Sequence, residues 1–158
     1  MAQSPKTLLL TALASIPVIK TGDDLGQIIT LGMQSNGLAF QDGDILVLAQ
    51  KIVSKAEGRF VDLNTVQPSQ RAKEIAEITQ KDARFVELVL NESQRVIRVG
   101  LNTLIVEHNQ GFICANAGID HSNVVDQGLG NDDWVLLLPE NADRSAEKLR
   151  LAINNLTG

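Results

Sequence analysis

The sequence predicts an α+β fold, a mixed sheet with packed helices, and three observations carry that expectation. Short apolar runs bounded by turn residues recur at 45–49, 59–63, 95–99, 103–107, 112–115 and 134–138. Two helical patterns stand side by side between Pro68 and Val89. Strand runs and helix pairs are thus clustered rather than strictly alternating, which argues against a doubly wound parallel sheet.

The elements follow in order. Residues 7–14 (TLLLTALA) resemble a short signal-peptide core, but only one lysine precedes them and no A-x-A-like site follows, so they read as a first strand. Gly22, Asp23 and Asp24 form a turn and N-cap, opening a helix from about Leu25 to Asn36. Residues 40–44 (FQDGD) are a turn. The continuous run ILVLA at 45–49 predicts a strand buried on both faces, followed by a polar segment, 50–58, and a short strand at 59–63. Pro68 and Ser69 open a helix with Ala72, Ile75 and Ala76 on one face. Asp82 caps the next, where Phe85, Leu88 and Val89 repeat that spacing. Three short strands follow, then a mostly irregular stretch over 116–133 and a last strand at 134–138. A final helix from about Asp143 aligns Ala146, Leu149, Ile153 and Leu156.

A chain of 158 residues suits one domain or two small subdomains sharing a core. Four Phe, one Trp and no Tyr leave the core to Leu, Ile, Val and Ala. The net charge of −5 argues against nucleic-acid partners, which need a basic surface, and against an anionic membrane. No apolar run reaches the roughly 20 residues that span a bilayer. Cys114 is the only cysteine, so no intrachain disulfide can form, and the cytoplasm is the expected compartment.

The segment CANAGIDHSN at 114–123 is the richest in chemistry. Asn116 and Gly118 suit a tight turn with positive φ, which then presents Asp120, Ser122 and Asn123. A carboxylate there can hold a hard divalent cation, and the hydroxyl and amide can bind phosphate or ribose. Equally, Asp120 can make an Asx-turn and Asn123 a helix cap. Gln50, Lys51, Ser54 and Lys55 follow directly on an expected strand, where sheets of this kind bind ligands, and two lysines can neutralise phosphate. The alternative is a solvated turn in which Lys55 pairs with Glu57. Gly128 and Gly130 lack the third glycine of a dinucleotide fingerprint. His108 and His121 are not spaced with Cys114 as a zinc site, and His121 reads as a surface residue more readily than as an acid or base.

Five blocks in this order resemble the coenzyme F420-0:L-glutamate ligase family: IPVIKTGDDL at 16–25, VSKAEGR at 53–59, PSQRAKEIA at 68–76, NAGIDHSNV at 116–124, and LLLP at 136–139 with SAEKLR at 145–150. The resemblance covers nearly the whole chain. It implies a ligase that uses GTP and a divalent metal, Mg2+ or Mn2+, with K+ as a further cation, to join L-glutamate to F420-0 through an acyl phosphate. By position it implies that Ile16, Pro17, Val18 and Ile19 lie along the nucleotide, with Gln50, Lys51, Lys55 and Asn123 as further nucleotide contacts and Asp120 as a metal ligand. Gln50 and Lys51 depart from the small hydroxyl pair of some members. The resemblance also implies a homodimer. Family members continue into a segment with a second metal-binding aspartate, so residues 1–158 are expected to form the N-terminal part of that fold, inactive alone. Its complement would be the rest of a longer chain or a separate C-terminal half. A non-catalytic nucleotide-binding or oligomerisation module derived from the family is the alternative.

Overall fold

The computed structural model describes residues 7–121 and 133–158. The helices start where the caps are. Asp24 accepts from the Gln27 amide at the head of α1 (Leu25–Ser35), Ser69 from Ala72 at α3 (Gln70–Thr79), and Asp82 from Arg84 at α4 (Ala83–Asn91). The helix Gln50–Ala56, α2, has no side-chain cap. Asn141 caps α5 (Ala142–Thr157) through the Arg144 amide.

The class is α+β. The strands form two small antiparallel sheets rather than one mixed sheet: β1 (Phe60–Asp62) beside β5 (Trp134–Leu136), and β2 (Ser93–Gly100), β3 (Thr103–His108) and β4 (Ile113–Ala115) in that order. Alternation along β3 sends Leu104, Val106 and His108 inward. There Leu104 and Val106 meet Ala72, Ile75 and Ala76 of α3 and Val86 and Val89 of α4. Val135 and Leu137 join the same core from the other sheet. A second layer packs α1 on α5 at a close approach, where a Cβ on Gly26 would lie 3.1 Å from that of Ala152.

Several expectations are corrected. Residues 7–14 and 45–49 belong to no helix or strand, and Leu8, Leu9 and Leu10 are exposed. In the second run Ile45 and Val47 are 84% and 81% exposed while Leu46 and Leu48 are partly covered, so one face alone is sheltered. An apolar run reports a need for cover, not which segment provides it. Residues 50–56 are a helix, not an irregular polar segment. Of the stripe expected on α5, Ile153 is buried, Leu149 is half-buried, and Ala146 and Leu156 are exposed. Ala152, which the expected stripe does not include, meets Gly26 of α1 together with the side chain of Leu156.

Candidate functional site

The turn after β4 is built under constraint. Asn116, Ala117 and Gly118 have φ of 51°, 52° and 67°, three successive left-handed residues, two of which carry a Cβ. At Gly118 the constraint is tightest, because a Cβ would stand 2.8 Å from Leu138 Cδ1 and one of the two would have to shift. The turn is then locked to β5. The Asp120 amide donates to Leu136 O at 2.9 Å, and the Leu136 amide donates back to Asp120 O at 2.8 Å. Asp120 is thereby held by its backbone.

The Asp120 carboxylate meets α2. Lys51 Nζ lies 2.6 Å from Asp120 Oδ2, with the lysine side chain 40% exposed and the aspartate 15%. Gln50, one residue earlier, donates from Nε2 to Ser54 Oγ at 2.7 Å. Lys55 stands one turn beyond Lys51, so the two ammonium groups share a helix face. Glu57, the alternative partner for Lys55, accepts from Ser145 Oγ at 2.5 Å.

The structure joins two of the sequence-predicted pieces, Lys51 and Asp120. Ile16, Pro17, Val18 and Ile19 belong to no helix or strand. Ile19 is buried, Ile16 packs against Gly32 of α1, and Pro17 and Val18 are exposed. The chain continues to Gly22, whose amide donates to Ala56 O at 2.9 Å. The segment therefore docks at the far end of α2 from Gln50 and Lys51. Ser122, Asn123, Gly128 and Gly130 fall outside the described residues. His121 is exposed, its ring 6.3 Å from that of Phe85.

Asp120 and its neighbours offer hard oxygen donors. Among the described residues no three His, Cys, Asp or Glu side chains form a metal-holding group. Mg2+ does not require one, since it commonly takes one or two carboxylates and completes its shell with water and substrate phosphates. Asn116 Oδ1, on the same turn, is buried and accepts no hydrogen bond among the described residues, an oxygen of the type such an ion favours. The donor set fits a cation shared with a phosphate ligand, with Asp120 as its protein carboxylate.

Two features were missed by sequence reasoning. Arg59, inside the VSKAEGR block, donates from Nε to Leu138 O at 2.8 Å and pairs with Glu140 at 3.2 Å and Glu92 at 3.4 Å. It fixes Leu138, the side chain against which Gly118 turns. Its partners lie 33 to 81 residues away, so no local spacing could reveal them. The second is a cavity of about 960 Å3 between the 40–50 segment and α5, lined by both Gln50 and Gly118.

The structure is that of an α+β protein in which Lys51 of α2 pairs with Asp120 on the turn after β4. Family comparison makes this specific: residues 14–158 match the F420-0:Gamma-glutamyl ligase model, and the chain belongs to that family. It is 43% identical over 149 residues to a coenzyme F420:L-glutamate ligase of Methanothermobacter thermautotrophicus, covering 94% of this chain and 57% of that protein. It is 46% identical over 143 residues to the protein of that name from Archaeoglobus fulgidus, covering 90% and 53%. The Methanocaldococcus jannaschii protein is 38% identical over 143 residues, with the same coverage. The chain spans about half the length of the curated relatives it matches. Among the described residues no helix is long and apolar enough to cross a membrane.

Proposed function

We propose that this chain forms part of a cytoplasmic, GTP- and divalent-metal-dependent ligase that joins L-glutamate to coenzyme F420-0. Family membership supports the amide-forming chemistry, and the 2.6 Å contact of Lys51 with Asp120 carries the reading of the site.

The reaction has two displacements. A carboxylate oxygen of the acid substrate attacks the γ-phosphorus of GTP, releasing GDP and leaving an acyl phosphate. The glutamate amine then attacks the acyl carbon, loses a proton and expels inorganic phosphate. The first step crowds negative charge, so its catalysis consists largely of positioning and neutralisation. Lys51 and Lys55 are suited to this as point charges on one helix face. Asp120 would hold Mg2+ or Mn2+, with K+ as a further cation, and the metal would draw charge from the phosphates. In the ligand-free arrangement Lys51 occupies the carboxylate. With metal and nucleotide bound, Lys51 would face phosphate and Asp120 would hold the cation, so neither charge would be left uncompensated. Ile16, Pro17, Val18, Ile19, Gln50 and Asn123 would complete the nucleotide contacts.

We further assign the active unit as a homodimer that includes a C-terminal half, in the same polypeptide or as a separate one. Titrating the chain with GTP in the presence and absence of Mg2+ tests the nucleotide reading. Metal-dependent binding that weakens on Lys51→Ala supports it, and binding indifferent to both metal and Lys51 overturns it.

A further inference from the structure

We propose that Arg59 is the positioning residue of the Lys51–Asp120 pair, setting the distance between α2, which carries the lysine, and the turn that carries the aspartate. The catalytic consequence rests on the ligase reading above, whereas the control of the contact does not.

The backbone of Arg59 is bonded toward both members of the pair. Its amide donates to Ser54 O at 3.0 Å, on the same helix as Lys51 and nearly one turn beyond it. Its carbonyl accepts from the Leu137 amide at 3.0 Å, next to Leu136, which exchanges two hydrogen bonds with Asp120. Phe60, the following residue, pairs with Leu136 itself across β1 and β5. The path from α2 to Asp120 therefore runs through Ser54, Arg59, Leu137 and Leu136, with a hydrogen bond or a peptide bond at every step.

Backbone bonds do not select arginine, but the guanidinium contacts do. Nε donates to Leu138 O at 2.8 Å, Nη1 to Glu140 Oε1 at 3.2 Å and Nη2 to Glu92 Oε1 at 3.4 Å. A planar fork with fixed donor directions serves the segment after β5 and the end of α4 at once, which the single ammonium of a lysine cannot do. The fork also holds the turn, because Leu138 is the side chain against which Gly118 packs, two residues before Asp120. Arg59 thus fixes both the strand that grips the Asp120 backbone and the wall behind the turn that presents it.

The alternative is that Lys51 and Asp120 find each other unaided. The lysine side chain is 40% exposed, and isolated pairs of that kind contribute too little to hold two elements in register. Their spacing has to be set by the frame. Phosphoryl transfer is sensitive to such spacing, since a displacement of about 1 Å can cost roughly 100-fold in rate.

The test reads the contact itself. In the 158-residue chain, Lys51→Ala should move the carbon-13 resonance of the Asp120 carboxylate. In Arg59→Lys or Arg59→Gln, whichever retains the wild-type circular dichroism, that shift should be largely lost. A complete ligase bearing this front half supplies a second readout. There Arg59→Lys should lower kcat/KM at least about tenfold, yet scarcely lower it further when Asp120→Asn is already present, because a residue acting through Asp120 then has nothing left to position. A general structural defect would lower both backgrounds alike. No carboxylate shift in the wild type, a shift that survives in the folded Arg59 variants, additive losses of activity, or failure of both variants to fold would each overturn the assignment. Loss of the carboxylate shift with activity untouched would instead count against the ligase reading of the pair and leave Arg59 in its positioning role.

Discussion

Lys51 Nζ and Asp120 Oδ2 stand 2.6 Å apart, and the two residues are unequally exposed: 40% for the lysine side chain and 15% for the aspartate. The inequality makes the pair asymmetric in stability. Asp120→Asn leaves a lysine that can return to water, so its unfolding midpoint in urea should scarcely move. Lys51→Ala leaves a largely covered carboxylate without its cation and should cost about 1 kcal/mol, between the values of exposed and buried pairs. Equal effects of the two substitutions would show that Asp120 is better solvated than its position implies.

Gly118 offers a second check on how the site is held. Alanine there must adopt a φ of +67° and bring its Cβ to 2.8 Å from Leu138 Cδ1. The backbone term alone is about 1–2 kcal/mol. With the contact added, a total near 2–3 kcal/mol is expected, or a fall in Tm of roughly 4–12 °C for a chain of this length. Calorimetry on Gly118→Ala provides the comparison, and an unchanged Tm would mean that the turn is not bound to Leu138 as described.

Exposed apolar residues lead to a third expectation. Leu8, Leu9, Leu10, Ile45 and Val47 are all open to solvent, more apolar surface than a monomer usually leaves bare. The chain should therefore self-associate, and light scattering at high concentration should report a mass well above 17.1 kDa. Replacing Ile45 and Val47 with Lys should reduce that mass without lowering Tm, because neither side chain is packed. A wild-type chain that stays monomeric excludes this behaviour.

These predictions also mark how far the sequence could be read. Helix starts were legible because a cap is a local device: Asp24, Ser69 and Asp82 each accept from an amide two or three residues on. The strand expected at 103–107 was legible from its short apolar run. The runs at 7–14 and 45–49 were not, because their composition demands cover whereas strand pairing depends on a neighbour that composition does not name. Asp120 could be singled out from its turn and Lys51 from its place after an apolar run, but their contact joins distant segments. The cavity was beyond reach, since its walls come from the 40–50 segment, the β3–β4 turn and α5 together.

A fourth prediction concerns pH. His108 is 2% exposed, its Nδ1 accepts from the Gln110 amide at 3.0 Å, and its Nε2 faces the Glu92 carboxylate at 3.7 Å. Burial, aided by the nearby Arg59 guanidinium, pushes its pKa below the ordinary 6.5, and Glu92 only partly offsets this. The unfolded chain then binds a proton that the folded chain refuses. This contribution to stability is complete above about pH 6.5 and declines as pH falls toward the depressed value. In urea titrations from pH 7.5 to 5, His108→Gln should show a flatter dependence than the wild type. Identical slopes would remove His108 from the acid response.

The last prediction separates a metal ligand from a turn former at Asp120. Its backbone is held by two hydrogen bonds to Leu136, at 2.9 and 2.8 Å, neither of which involves the carboxylate. Asparagine keeps the size, the backbone and any Asx-turn, so a purely structural Asp120 makes Asp120→Asn nearly silent. A cation-holding Asp120 loses a full negative charge in the same change, and hard divalent ions prefer carboxylate oxygen to amide oxygen. In a complete ligase bearing this front half, Asp120→Asn should leave Tm nearly unchanged and reduce kcat/KM at least about tenfold, or roughly 1.4 kcal/mol of transition-state stabilisation. Raising Mg2+ or Mn2+ should recover part of the loss, which a structural defect would not allow. The same titration with Lys51→Ala should show no metal rescue, because that change removes a phosphate contact and leaves the cation's carboxylate in place. Full activity of Asp120→Asn at ordinary metal concentration would return Asp120 to the role of turn residue.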